Sequence, residues 1–264
     1  MNTTTDGDLL PTMDDTYRIP PLSVSRRVGV IAVLLAAAAA AWAVTGDRMG
    51  GMDMGPGTML GGLGWFVGVW VTMMAAMMLP SVAPIVLRYA RLAIRPGAVA
   101  LFVAGYLLPW AAAGVLAYGV VEGVRTLDLG FLGWDAAGQY VTAGVILAAA
   151  VYQITAAKGV CLLQCRSPLA LVEHWRPGPL GALRMGIEHG GFCVGCCWAL
   201  MAALFALGVM SVAWMVFIAL VIAAEKLLPS GRLANRGIAV VLAALAVWVA
   251  VAPDSVPWLT VPMG

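Results

Sequence analysis

The stretch from His189 to Cys197 carries the most distinctive chemistry in this chain. It reads His-Gly-Gly-Phe-Cys-Val-Gly-Cys-Cys, and no charged residue follows it until Glu225. On an α-helix, His189, Cys193 and either Cys196 or Cys197 fall at i, i+4 and i+7 or i+8, which places them on one face. Thiol and imidazole groups ligate soft and borderline metals, and ionisable groups at membrane depth are costly and usually functional. The stretch therefore predicts a soft-metal or thiol site within a membrane.

A second pair of cysteines extends this pattern. Cys161 and Cys165 are spaced i, i+4 at the end of an earlier apolar run, and they complete the five cysteines of the chain. A single buried cysteine is usually a small apolar core residue, and that alternative applies here too. Two tight clusters beside a histidine are instead typical of metal ligation. We therefore expect the histidine and all five cysteines to form one metal site: His189, Cys161, Cys165, Cys193, Cys196 and Cys197.

Two further ionisable residues near this site have ordinary explanations. His174 stands in a polar loop, where a solvated histidine is expected. Glu188 can form an i, i+4 ion pair with Arg184, or it can orient His189 without ligating the metal itself. The sequence leaves both interpretations of Glu188 open.

Methionine thioethers form a second ligand pattern. The segment Met73-Met-Ala-Ala-Met-Met-Leu-Pro80 holds two i, i+4 methionine pairs over one helical turn. Methionine often fills gaps in an apolar core, which is the alternative interpretation. However, Pro80 removes a backbone donor and opens the helix near Ala76, and thioethers are neutral soft ligands that suit Cu(I) and Ag(I). We expect ligands in this helix and in the Gly-rich loop before it: Met73, Met74, Met77 and Met78, and Met49, Met52, Met54 and Met59.

Composition places these ligands in a membrane protein. Of the 264 residues, 62% are hydrophobic and 11% are charged, and the net charge of +2 comes without a basic block, which argues against a nucleic-acid partner. Apolar runs of about 20 residues predict transmembrane helices, since only helices satisfy the backbone across such lengths. We predict an all-α polytopic bundle of about seven transmembrane helices. The runs are Val28–Val44, Gly64–Leu87, Ala98–Val121, Gly138–Val160, Met185–Leu207, Met210–Leu228 and Gly237–Val251.

The loops predict the orientation of this bundle. Lys and Arg concentrate before the first run and in the second, fourth and sixth loops, which places the N-terminus in the cytoplasm and the C-terminus outside. Residues 1–25 are expected to form a disordered cytoplasmic tail, and residues 26–264 a single transmembrane domain. We expect close helix contacts at Gly64 and Gly68 and along the alanine run at 36–41.

The first apolar run also has features of a signal peptide. Arg26-Arg27 precedes it, and Ala41-Trp-Ala43 matches an A-x-A cleavage site. The long acidic segment before Arg26 argues against cleavage. The rest of the predicted topology is the same in either case.

Six motifs, taken in order, resemble a bacterial family of integral membrane proteins catalogued as a domain of unknown function with suggested metal binding. They are Met73-Met-Ala-Ala-Met-Met-Leu-Pro-Ser81, Tyr152-Gln153 with Lys158 and Cys161, Cys165-Arg-Ser-Pro168, His189-Gly, Gly195-Cys-Cys-Trp-Ala-Leu-Met201 and Glu225-Lys-Leu-Leu-Pro229. The resemblance implies a polytopic membrane protein that binds a metal, and it implies no particular reaction. The methionine-rich loop lies outside the matching segment.

Together these patterns predict a soft-metal-binding protein of the cytoplasmic membrane that acts in metal transfer or transport, with copper(I) as the leading ion. Zinc and an iron–sulfur cluster are alternatives, because five cysteines also supply enough ligands for either. The expected partners are the lipid bilayer, the metal ion and other membrane protein subunits.

Two other roles use the same residues. The C-x-x-C pair Cys193 and Cys196 fits a membrane thiol–disulfide oxidoreductase. A subunit that delivers metal to a membrane cuproenzyme needs the same ligands without transport across the membrane. No nucleotide or flavin motif is present, and we expect a binding protein rather than an enzyme.

Overall fold

The computed structural model describes residues 22–49, 61–93, 95, 97–126, 138–167, 175–208, 211–228 and 231–257. Regular structure in these ranges is entirely helical, which confirms the all-α bundle. The helices are α1 (Val24–Met49), α2 (Leu63–Leu92), α3 (Ala98–Thr126), α4 (Gln139–Tyr152), α5 (Ala156–Arg166), α6 (Gly178–Gly208), α7 (Val212–Leu227) and α8 (Gly231–Val251), and a 3-10 turn follows at Pro253–Ser255. Of the predicted tail, residues 1–21 lie outside the described ranges.

Five of these helices are long and apolar enough to cross a membrane, which confirms a polytopic protein. They are Val24–Arg48, Leu63–Leu92, Ala98–Gly123, Gly178–Gly208 and Arg232–Val251. Two of the seven predicted runs differ from a simple span within the described residues. The fourth run is a broken pair, α4 and α5, bent by 65°. The sixth, α7, has 16 residues and measures roughly 24 Å, which is less than the ~30 Å of a bilayer core.

The long apolar stretch before Glu225 divides where the sequence predicted. The first of the two helices in this stretch is α6, and it ends at Gly208, which has a φ of 105°. A residue with a Cβ is strained in this left-handed backbone conformation, so glycine is favoured there. The next helix, α7, begins after Ser211, whose side chain accepts a hydrogen bond from the backbone N–H of Trp214. A glycine stop followed by a serine cap therefore produces two helices from one apolar stretch.

Glycines bring the backbones of α3 and α6 into direct contact. A Cβ at Gly186 would lie 2.1 Å from the carbonyl oxygen of Phe102, and a Cβ at Gly190 would lie 2.4 Å from that of Tyr106. Neither distance is possible for a real side chain, so only glycine permits this approach. Small residues at helix contacts are the usual way in which membrane helices pack closely. The contact fixes α3 against the part of α6 that leads to Cys193.

The predicted contacts at Gly64 and Gly68 are wrong. A Cβ at either position would meet no atom within 4 Å, because both glycines lie on the exposed side of α2. Within the alanine run of α1, which packs on α2, Ala38 and Ala41 are buried. Only the alanine part of that prediction is therefore confirmed.

A buried ion pair joins α5 to α7. The ammonium of Lys158 lies 2.8 Å from each carboxylate oxygen of Glu225, and both residues are 0% exposed. Removing two charges from water is costly, and each partner compensates the other only while both are present. The pair therefore holds the second half of the broken helix against the end of α7.

The α3–α6 contact predicts different outcomes for two neighbouring glycines. Gly190→Ala places a methyl group against the Tyr106 carbonyl and should lower stability by about 1–3 kcal/mol, because the backbones must separate. Gly191→Ala is the matched control, since a Cβ there meets nothing within 4 Å and gains the same helix propensity. The apparent Tm of the purified protein in detergent measures both. Equal Tm values for the two variants would contradict the contact.

The ion pair predicts non-additive effects of its two residues. Lys158→Met or Glu225→Met alone should destabilise the protein by about 3–5 kcal/mol, because each leaves one buried charge without a partner. The double variant should recover most of this loss, since it removes both charges at once. Denaturant or thermal unfolding of the three variants gives the comparison. A double variant as unstable as the sum of the singles would argue against the pairing.

Candidate metal centre

Four cysteine thiols from two helices meet in the interior of the bundle. The Sγ atoms of Cys193, Cys196 and Cys197, all on α6, lie within 4.8 Å of one another. The Sγ of Cys165 on α5 lies 3.7 Å from the Sγ of Cys196, and those of Cys196 and Cys197 are 3.3 Å apart. We call these four residues the thiol cluster. Cys165 is 5% exposed and the other three are 1% exposed or less.

Local sequence explains how the two helices meet. Cys193, Cys196 and Cys197 stand at i, i+3 and i+4 of a continuous helix and so share one face. The break after Tyr152 redirects the chain by 65°, and the side chain of Thr155 caps the new helix α5. The hydroxyl of Tyr152 donates to a backbone carbonyl of α6 at 2.6 Å. These interactions bring the end of α5 to the cysteine face of α6.

Cys161 contacts α6 at Gly195, next to the thiol cluster. Its Sγ packs against Gly195, where a Cβ would lie 2.8 Å from that sulfur. In the described part of the chain its sulfur makes no hydrogen bond to the cluster, and Cys161 is partly exposed. The structure therefore brings Cys165 to the three cysteines of α6, and it leaves Cys161 one helical turn away.

His189 lies at the edge of the cluster, beside two aromatic rings. The centroid of its ring is 6.2 Å from that of Phe102 and 6.0 Å from that of Tyr106. Tyr106 in turn contacts the cluster, with its Oη 3.0 Å from Cys193 Sγ. The group of three thiols on α6 that lies close enough to share an ion contains no imidazole nitrogen. Tyr106 therefore contacts both His189 and Cys193.

The structure decides between the two interpretations of Glu188. Its carboxylate lies 3.3 Å from Arg184 and 3.3 Å from Arg176, so it forms the ion pair that the i, i+4 spacing predicts. In the described residues no hydrogen bond joins Glu188 to His189, so the other interpretation, in which Glu188 orients His189, is not supported. His174 lies outside the described residues.

The four methionines of α2 are buried in the core of the bundle. Each of them is 2% exposed or less: Met73, Met74, Met77 and Met78. Such burial fits both core packing and metal ligation. Helix α2 continues through Pro80 and Pro84 without a break. Of the predicted loop ligands, Met52, Met54 and Met59 lie outside the described residues, as does the side chain of Met49 at the end of α1.

An ammonium group contacts the thiol cluster directly. The Nζ of Lys226 lies 3.1 Å from the Sγ of Cys193 and 3.2 Å from the Oγ of Ser81 on α2. Ser81 stands one helical turn after Met77, so the methionine face of α2 reaches the cluster through Ser81 and Lys226. A neighbouring cation compensates the charge of a thiolate, which is the form that binds metals.

Sequence reasoning missed Lys226 and Tyr106 as parts of this site. The sequence indicated Lys226 only as part of the Glu225-Lys motif and as one of the basic residues that predict the orientation of the bundle. An acidic and a basic residue side by side at the end of a long apolar run were the available signal, because such charges need partners inside the bundle. Tyr106 gave no signal, since nothing in its sequence neighbourhood distinguishes it from other apolar-run residues.

The thiol cluster has the chemistry of a soft-metal site. With metal–sulfur bonds of about 2.3 Å, two sulfurs bound to one ion lie roughly 3.7–4.6 Å apart, depending on the coordination geometry. The three sulfurs of α6 lie within 4.8 Å of one another, and that of Cys165 lies 3.7 Å from that of Cys196, so small side-chain adjustments suffice for binding. Thiolates favour Cu(I), Zn and Fe–S centres over Mg, Ca and Mn.

Comparison with known proteins agrees with this chemistry. The sequence model of the PpoB2 family, described as copper chaperone, matches residues 67–249. This segment contains all five cysteines and the helical methionines, and the match is consistent with the resemblance to a metal-related bacterial family. No curated protein and no solved structure matches the chain. Because the match covers well over half of the sequence, the chain belongs to the PpoB2 family of copper chaperones.

Proposed function

We propose that this protein binds Cu(I) at the thiol cluster within the cytoplasmic membrane and delivers it to other membrane proteins. The convergence of four buried thiols from α5 and α6 carries the proposal. Soft thiolates bind Cu(I) strongly, and a buried site excludes water as a competing ligand. The description of the family as copper chaperones supports delivery over transport across the membrane.

The charges at the helix ends support a cluster near the cytoplasmic surface. Cys193 follows Glu188 by five residues, which is roughly 7.5 Å along the helix axis. Glu188 pairs with Arg184 and Arg176, and such basic helix ends face the cytoplasm under the positive-inside rule. Copper held here is within reach of a partner that docks from the cytoplasmic side or within the membrane.

The buried methionines of α2 provide a route to the cluster. Met74, Met77 and Met78 lie on the face of α2 that continues to Ser81, and Ser81 contacts Lys226 beside Cys193. Thioethers bind Cu(I) more weakly than thiolates do, so ligand exchange toward the cluster runs downhill without ATP. In this proposal the outer methionines, Met49, Met52, Met54 and Met59, capture the ion first.

A thiol–disulfide oxidoreductase is the second candidate function, because the thiols of Cys193 and Cys196 lie close enough to pair. Exchange with a protein disulfide requires direct attack by an accessible thiolate. Both thiols are 1% exposed or less, so another protein's disulfide cannot reach them without opening the bundle. A small ion needs no such opening, which is why we prefer metal binding.

Anaerobic Cu(I) titration of the purified protein tests the proposal. The wild-type protein should bind one Cu(I) per chain, and Cys193→Ser should weaken binding by more than about a hundredfold, because it removes a thiol that lies within 4.8 Å of two others. Cys161→Ser is the matched control and should bind nearly as the wild type does, since its sulfur packs against Gly195 and, among the described residues, makes no hydrogen bond to the cluster. Unchanged binding by Cys193→Ser would exclude the cluster as the site.

Delivery and the methionine route are tested in sealed proteoliposomes. Cu(I) supplied outside should pass to a thiol-rich acceptor peptide, and Met77→Leu with Met78→Leu should slow this transfer severalfold while the near-isosteric change preserves the fold. Met215→Leu is the control, because Met215 is equally buried on α7. Equal rates for both variants would leave the route without support. Free Cu(I) accumulating without an acceptor would indicate transport instead of delivery.

A further inference from the structure

Among the described residues, Lys226 forms no ion pair with a carboxylate. The neighbouring carboxylate of Glu225 is held by Lys158 through both of its oxygens at 2.8 Å. The hydrogen-bonding partners of Lys226 are the hydroxyl of Ser81 and the sulfur of Cys193. The side chains of Lys158, Glu225 and Lys226 therefore carry a net charge of +1 beside the thiol cluster.

A buried charge is stable only beside a group of opposite charge. Cu(I) bound by two thiolates has a net charge of −1, and Cu(I) bound by three has a net charge of −2. Lys226 supplies +1, so it neutralises the two-thiolate complex and leaves the three-thiolate complex with an excess negative charge inside the bundle. The arrangement of charges thus favours one coordination number over another.

We infer that Lys226 is the counter-ion of the loaded site and restricts Cu(I) to a complex of two thiolates that includes Cys193. This inference rests on the proposed function, in which Cu(I) is the ion bound. As the ion binds, it replaces the thiol protons of the two ligands, and those protons leave to solvent. The other thiols of the cluster stay neutral.

The geometry of the cluster accommodates such a complex. A linear sulfur–copper–sulfur unit with bonds of about 2.3 Å spans roughly 4.6 Å, and the three sulfurs of α6 lie within 4.8 Å of one another. A two-coordinate ion also keeps open positions, at which a further ligand can bind as the ion leaves the cluster. The charge of Lys226 thereby serves release as well as binding.

The test compares variants that remove or keep the charge. Lys226→Met removes it and retains the apolar stem, Lys226→Arg keeps it, and Ser81→Ala removes only the other hydrogen-bonding partner. Competition with a colorimetric Cu(I) chelator measures the Kd of each. Lys226→Met should raise Kd about ten- to a hundredfold, the range expected for a lost hydrogen bond to a charged group. Lys226→Arg and Ser81→Ala should stay within about threefold of the wild type.

X-ray absorption spectroscopy of the copper-loaded wild-type protein counts the sulfur ligands of the ion. This measurement does not depend on the folding of any variant. Two sulfurs per copper are expected, and three or four would overturn the inference. Wild-type affinity in Lys226→Met, or an equal loss in Lys226→Arg, would overturn it as well, because the charge would then have no role. These results differ from failure of the proposed function, in which the wild-type protein itself binds no Cu(I).

Discussion

An ionisable group inside an apolar bundle needs a partner within the bundle, because a buried charge without one is costly. Lys158 and Glu225 meet this constraint by pairing with each other, and Lys226 meets it at Cys193 and Ser81. These contacts join α2, α5, α6 and α7 at one place. The same interactions that remove the cost of buried charge therefore assemble the candidate metal centre.

Two irregularities in the helices make this convergence possible. The broken helix turns α5 so that Cys165 reaches Cys196. Gly186 and Gly190 remove the side chains that would otherwise separate α3 from α6. The irregular positions are thus the ones that convert separate sequence motifs into a site.

The sequence predicts the parts of this arrangement that depend on local spacing. Apolar runs indicated the helical bundle, and the segment after Leu207 indicated the division of α6 from α7. The i, i+4 and i+7 or i+8 spacing from His189 indicated that Cys193 shares a helix face with Cys196 or Cys197. Each of these follows from one helix considered alone.

The remaining features depend on how the helices pack, which local spacing does not encode. No proline or glycine marks the break after Tyr152, so the fourth run resembled an ordinary span. Cys161 and Cys165 are equivalent in the sequence, and only the turn of α5 distinguishes them. The contact between Lys226 and Cys193 joins residues 33 positions apart, and Gly64 differs from Gly186 only in the surface that it faces.

In the proposed function the thiol cluster is the copper site. The most direct test of this proposal is the metal content of protein purified anaerobically from cells that receive copper, zinc and iron in equal supply. One copper per chain is expected in the wild-type protein, with little zinc or iron, and that copper should be lost in Cys193→Ser, which removes the thiol beside Lys226. Zinc or iron in the wild-type protein, or full copper in Cys193→Ser, would contradict the proposal.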